Sequence, residues 1–277
     1  MAGRPLNKAG DNQPEIHHQA NHVFRLIDPA GRTVEQRIRP PRGFIRVSAP
    51  ENSFGAYLRR LPLKPHGANV RLHDGRIKPN HGIYDAVVDL NIGNKDLHQC
   101  ADAVIRLRAD YLYQQKQFEK IHFNFSNGFR ADYAQWKKGY HIVVRGNQAY
   151  WTPSHGPTDS HQNFWEYLET VFNYAGTLSL ANELKPASLD TLQIGDIFIH
   201  GGSPGHAVIV IDLASNPQNG ENIFLLAQSY MPAQEIQILK NPNDPQRSPW
   251  YSTEFGGMLT TPEWTFHRTE LKRFTEF

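Results

Sequence analysis

Residues 195–230, GDIFIHGGSPGHAVIVIDLASNPQNGENIFLLAQSY, decide how the chain is read. Three apolar, β-branched runs, Ile197 to Ile199, Ala207 to Ile211 and Ile223 to Ala227, are parted by clusters of Gly, Pro, Ser and Asn, the pattern of short strands joined by turns. A β-meander is expected. The second turn, Ser215 to Gly220, is centred near residue 217, so an unbulged antiparallel register sets position 206 opposite position 228. Those positions hold His206 and Gln228. Packing alone explains neither side chain in an apolar run, and an amide beside an imidazole is a means of fixing the ring for acid–base work. What such a histidine would activate is suggested by the single cysteine, Cys100.

Composition bounds the rest. With 277 residues, 39% apolar and 11% aromatic, the chain can bury one good core, and it reads as one elaborated domain. The net charge is +2, from 29 basic and 27 acidic side chains, which argues against an electrostatic nucleic-acid binder. One cysteine excludes an internal disulfide and a multi-cysteine zinc site. Fourteen histidines raise the question of a metal, and His200 and His206 flank a Gly-Gly-Ser-Pro-Gly turn. Neither HExxH nor a matching Cys/His cluster occurs, so no metal and no cofactor is expected. No run approaches the roughly 18 to 20 apolar residues of a membrane span, and MAGRPLNKAGDNQPEIHHQ lacks the apolar centre of a signal peptide. The expectation is a cytoplasmic protein if Met1 is the native start, and a cell-envelope protein if an export signal has been removed.

In chain order, residues 1–20 are polar and aperiodic and read as a disordered arm. Ser53 is placed to cap a short helix through Phe54, Tyr57, Leu58 and Leu61, with Pro62 as its stop. Residues 83–92 read as a strand. Asp96-Leu97-His98-Gln99 fits a capping box that opens a helix. On that helix Leu97, Cys100, Ala101, Val104, Leu107 and Tyr111 share an apolar face, and Asp102, Arg106 and Asp110 form a charged ladder opposite. Cys100 then falls in the first turn, where unpaired N–H groups and a partial positive charge favour the thiolate. The thiol is therefore expected to titrate below its ordinary value of about 8.5. The alternative is that a lone cysteine on an apolar face is simply a small buried hydrophobe. Further on, Arg130, Asp132, Tyr133 and Trp136 either line a groove for sugars or peptides or pack a satellite core. Residues 162–180 carry helical spacing, with Gly176 closing the main part. Tyr230, Trp250, Tyr251 and Trp264 either rim a pocket beside Gln228 or close the core.

The order Cys100, His206, Gln228, with Gly195-Asp196 leading into one apolar strand and Gly205-His206 opening the next, resembles the papain-like superfamily of cysteine peptidases and amidases, especially its NlpC-type and CHAP branches. That resemblance implies an α+β fold in which a Cys-bearing helix packs on an antiparallel sheet carrying the histidine. It also implies cleavage of peptide or amide bonds, often in cell-wall peptidoglycan. On this reading one papain-like domain occupies residues 21–277. From Phe44 to Phe274 the chain also resembles an uncharacterised bacterial family known only as a domain of unknown function, which carries no activity with it. Around the cysteine, Gln99-Cys100-Ala101-Asp102 stands where NlpC-type proteins usually show Asp-Cys-Ser-Gly. Backbone N–H groups near Cys100 are therefore the oxyanion candidates.

Two functions are expected to compete. In the first the chain is a cysteine hydrolase of a peptide or peptidoglycan-like substrate: Cys100 is the nucleophile, His206 the base and Gln228 its orienter, with Arg130, Tyr133, Trp136 and Tyr230 touching substrate. In the second it is an inactive glycan- or peptide-binding module on the same fold. A Cys100 sulfur within about 4 Å of a His206 ring nitrogen favours the first, and intervening packed side chains favour the second.

Overall fold

The computed structural model of the chain describes Met1, residues 25–154 and residues 156–275. Apart from Met1, the arm expected over residues 1–20 lies outside the described residues. Tyr84–Val87 (β1), Ile197–His200 (β2), His206–Ser215 (β3), Asn222–Gln228 (β4), Gln237–Leu239 (β5) and Leu271–Arg273 (β6) lie in one antiparallel sheet, in the order β1-β5-β4-β3-β2-β6. Lys185–Pro186 extends the sheet beyond β6, Ile45–Arg46 pairs with β3, and Tyr251–Ser252 pairs with β4. The expected meander is thus the centre of a larger sheet, and the fold is α+β with few helices.

Both faces of this sheet are covered, which is why its central runs are continuously apolar rather than alternating. On one face Ile197, Ile199, Ala207, Ile209 and Ile211 join Val104, Leu107, Phe164 and Leu168 from the helices. On the other, Phe198, Val208, Val210, Phe224 and Leu226 meet Leu259 and Phe266. Those two come from a C-terminal hairpin, Met258–Thr260 with Thr265–His267.

The register between β3 and β4 differs from expectation. Asn222 pairs with Ser215 and Leu225 with Asp212, but Leu226 pairs with Val210 and Ala227 with Ile209, so the ladder skips Ile211. One residue further, Gln228 stands level with Val208 rather than His206. The cause is a turn centred later than expected, together with a bulge that adds one residue to β3. Because the displacement is two residues, and side chains alternate with a period of two, His206 and Gln228 still share a face. The bulge also reverses the sense of alternation: Ala214 joins the helix-side core and Leu213 the hairpin-side core. Asp212, fully buried, is thereby held by Arg59 at 2.5 Å and Arg46 at 2.6 Å.

The helices that position the site are Phe54–Arg59 (α1), Cys100–Gln114 (α2), His161–Tyr174 (α3) and Thr177–Glu183 (α4). Ser53 caps α1 as read from sequence, its hydroxyl accepting from the Ala56 N–H at 3.1 Å. The start of α2 lies later than expected. Gln99 is its N-cap, and the Asp102 carboxylate accepts the Gln99 N–H at 3.0 Å. Asp96 is spent elsewhere, accepting from the Ala233 N–H at 2.6 Å and from the Gln99 amide at 3.2 Å. Cys100 is consequently the first residue of the helix. The charged ladder of α2 is not a solvated face: Asp102, Arg106 and Asp110 are all buried, Arg106 bonding Asp110 at 2.5 Å and lying 4.6 Å from the Trp165 ring of α3. Among the described residues no helix is long and apolar enough to cross a membrane.

Candidate active site

The site is assembled where β2 turns into β3. Gly205 sits in that turn because nothing larger fits: a Cβ there would lie 2.3 Å from the Thr177 hydroxyl, 2.5 Å from the Gly202 carbonyl oxygen and 2.8 Å from that of His200. Thr177, the first residue of α4, donates its hydroxyl to the Gly202 carbonyl at 3.0 Å, fixing the turn against the helix. The next residue, His206, begins β3 with 1% of its surface exposed.

The His206 ring is held on every side that these residues offer. Its Nε2 lies 2.8 Å from Gln228 Oε1. Tyr230 meets it edge-on at 4.9 Å between centroids, Trp264 lies at 5.5 Å, and Phe266 stacks at 5.9 Å. Burial in this aromatic cage pushes the imidazole down to about 4, partly opposed by the Gln228 hydrogen bond and assisted by the Lys78 charge. The ring is therefore neutral at physiological pH.

Cys100 reaches the same strand from the helix-covered side. The backbone N–H groups of Ala101, Ala207 and Cys100 lie near enough to its sulfur to favour the thiolate. Tyr230, in contact with His206, also feels the charge of Cys100. The sulfur thus rests beside the first peptide of β3. No hydrogen bond joins it to the His206 ring among those formed by the described residues. The expected low thiol pKa is corrected: burial, and then the Asp102 charge, push Cys100 up to about 11 against the pull of those N–H groups. Asp102 is itself pushed up to about 8 by burial, and its Oδ1 has no hydrogen-bond partner. Placing the cysteine at a helix start did not suffice, because the same placement buried it against a carboxyl.

Beside Cys100 opens a groove of about 480 Å³, lined among others by Asp102, Phe172, Thr177, Gly205 and Met231. Among the described residues Asp96 and Asp102 are the acidic side chains that line it, Asp102 mostly protonated at neutral pH, and Leu178 and Met231 are half-exposed at its walls. The other residues expected to touch substrate divide. Tyr230 is at the site. Tyr133 and Trp136 are 0% and 3% exposed, packed against Phe164 and Tyr167, so they are packing residues, though of the main core rather than of a satellite one. Arg130 is exposed and paired with Asp132 at 2.7 Å, near a different cavity beside His122 and Glu183. Trp250 and Tyr251 close the core, bonding the carbonyls of Arg39 and Lys240, whereas Trp264 joins the His206 cage.

Sequence reasoning missed Glu263 and Lys78. Glu263 accepts from the Gln228 amide at 2.6 Å and from Lys78 Nζ at 2.6 Å. Glu263 lies in a short turn and Lys78 in a connection rich in Pro and Gly, so neither stood out by periodicity. His200 and His206 do face each other across β2 and β3, but His200 is paired with Glu270 at 2.5 Å. Among the described residues no group of three or more His, Cys, Asp or Glu side chains could hold a metal ion.

A family model matches residues 34–273, the whole of the sheet and the site. The chain belongs to the family described as Domain of unknown function (4846). No curated protein and no solved structure matches it. Membership of this family carries no reaction, so chemistry has to be argued from the side chains themselves.

Proposed function

We propose that the protein is a cysteine hydrolase of amide or peptide bonds on a papain-like fold, with Cys100 as nucleophile, His206 as base and Gln228 as the residue that orients it. The observation that carries this reading is the His206 ring, fixed through Nε2 by Gln228 at 2.8 Å, at the start of the strand whose Ala207 N–H lies near the Cys100 sulfur. Burial obliges the ring N–H to find a partner, and Gln228 supplies it through an amide that is itself bonded to Glu263, which fixes the ring's orientation.

Both groups rest uncharged, so the proton moves during attack rather than before it. The Cys100 sulfur bonds to the substrate carbonyl carbon while its proton passes to the free nitrogen of His206. The oxyanion is received by backbone N–H groups at the start of α2. Collapse breaks the C–N bond, the amine leaves with the proton from His206, and water then hydrolyses the thioester with His206 again as base. A groove that carries Asp96 and a mostly protonated Asp102, and whose walls carry Leu178 and Met231, suits a substrate that is neutral or cationic near the scissile bond, such as a peptide or a peptidoglycan stem peptide.

The competing reading, an inactive peptide- or glycan-binding groove, is favoured by the thiol pushed up to about 11. Iodoacetamide labelling with mass mapping separates the two, alongside hydrolysis assays on a panel of peptides and peptidoglycan fragments. The hydrolase reading expects His206→Ala to slow labelling of Cys100 at neutral pH, and to lower hydrolysis by roughly a hundredfold, a typical contribution of a general base. Binding of a panel member without cleavage, and labelling indifferent to His206→Ala, would leave the groove as a binding site only.

A further inference from the structure

We propose that Glu263, held by Lys78, is a positioning residue that sets which nitrogen of His206 carries the proton. The argument is one of donors and acceptors. An ionised carboxylate only accepts, so the Gln228 side-chain NH2, 2.6 Å from Glu263, must face it. That leaves Gln228 Oε1 turned to His206 Nε2 at 2.8 Å, and an oxygen acceptor requires Nε2 to be the N–H nitrogen. Nδ1 then holds the lone pair. Without Glu263 nothing in this chain of contacts distinguishes the two ends of the amide. A flipped Gln228 would present NH2 to Nε2, place the proton on Nδ1 and remove the base.

Lys78 completes the device. Its Nζ lies 2.6 Å from the same Glu263 oxygen, with 3% of the residue exposed, and 5.4 Å from the Tyr230 ring that covers His206. Without that partner the carboxylate loses the donor that holds its oxygen against the Gln228 amide, and the order of donors and acceptors is no longer fixed. The Lys78 ammonium donates to Glu263, and its charge at the same time disfavours imidazolium at His206. The two residues arrive from distant segments, Glu263 from the turn of the C-terminal hairpin and Lys78 from the connection before β1, and converge only in the folded chain.

The consequence for Cys100 rests on the hydrolase reading, but the tautomer is measurable without it. Long-range proton–nitrogen correlation of protein labelled with 15N-histidine distinguishes an N–H nitrogen from a lone-pair nitrogen, with His206→Gln assigning the signals. The wild type is expected to show Nε2–H at neutral pH, unchanged by Cys100→Ala. Glu263→Gln, whose amide can donate or accept, is expected to give a mixture of tautomers, and Glu263→Asp to restore Nε2–H in part. If half the rings then lack a basic Nδ1, labelling of Cys100 falls by about twofold, the fraction of competent molecules. Lys78→Met is expected to shift the mixture the same way. A wild type with Nδ1–H, or a folded Glu263→Gln that keeps pure Nε2–H, would overturn the proposal. Loss of labelling dependence on His206 with the tautomer intact would instead count against the hydrolase reading alone.

Discussion

The buried histidines and the buried aspartate around the site carry opposite pH signatures. His206 is lowered to about 4 and His98 to about 3, both chiefly by burial, so between roughly pH 6.5 and these values the unfolded chain binds protons that the folded chain refuses. Stability is therefore lost as pH falls through that window, by about 3 kcal/mol for His206 alone at one pKa unit per 1.4 kcal/mol. Urea unfolding at pH 7 and pH 4.5 is expected to show a smaller acid penalty in His206→Gln than in the wild type, with the His98 share persisting. Asp102 acts in the other sense, being raised to about 8, so its burial weighs against folding as pH rises. At the pH where Cys100 ionises Asp102 is already charged, and that charge is the second cause of the raised thiol. Asp102→Asn should keep much of the helix cap while lowering the Cys100 titration, read as the pH midpoint of iodoacetamide labelling. An unmoved midpoint would assign the raised thiol to desolvation alone.

Turn geometry sets the site at the scale of elements. Gly195, φ +98°, precedes β2 with its missing Cβ 2.7 Å from the Phe54 ring of α1, and Gly205 precedes β3 against two backbone carbonyls and Thr177. Alanine at Gly205 has to move backbone, so a loss of roughly 2–3 kcal/mol is expected from overpacking, and Gly195→Ala adds strain in a left-handed conformation to a clash with Phe54. At Gly82, where nothing lies within 4 Å, alanine should change stability by less than about 0.5 kcal/mol. Denaturation midpoints of the three variants check this order. A Gly205→Ala protein as stable as the Gly82→Ala protein would mean that the α4 start gives way easily, and that the turn is not fixed as the Thr177 contacts imply.

The whole molecule is tied together through Asp212. Its carboxylate, fully buried in the bulged part of β3, binds Arg59 of α1 and Arg46 of the strand added to the sheet edge of β3, and Arg59 also donates to the Leu213 carbonyl at 3.0 Å. Asp212→Ala leaves two guanidinium groups without their carboxylate, one of them buried, and should cost about 3–5 kcal/mol. A two-state urea transition shifted by that amount is the expected result, and a change below about 1 kcal/mol would show that water replaces the carboxylate. The meander, the helix capped by Ser53 and the pairing of His206 with Gln228 were legible in the sequence, because strand runs, caps and turns are written in neighbouring residues. Parity protected the His206–Gln228 contact from an error of two in register, since a shift of two keeps a side chain on its face. Only the tertiary structure decided that the ladder of α2 is buried, that Tyr133 and Trp136 belong to the core, and that the Cys100 thiol is raised rather than lowered. Burial is a property of what other segments bring, and the same holds for the Lys78–Glu263 pair behind His206, whose members are 185 residues apart in sequence and acquire meaning only by meeting.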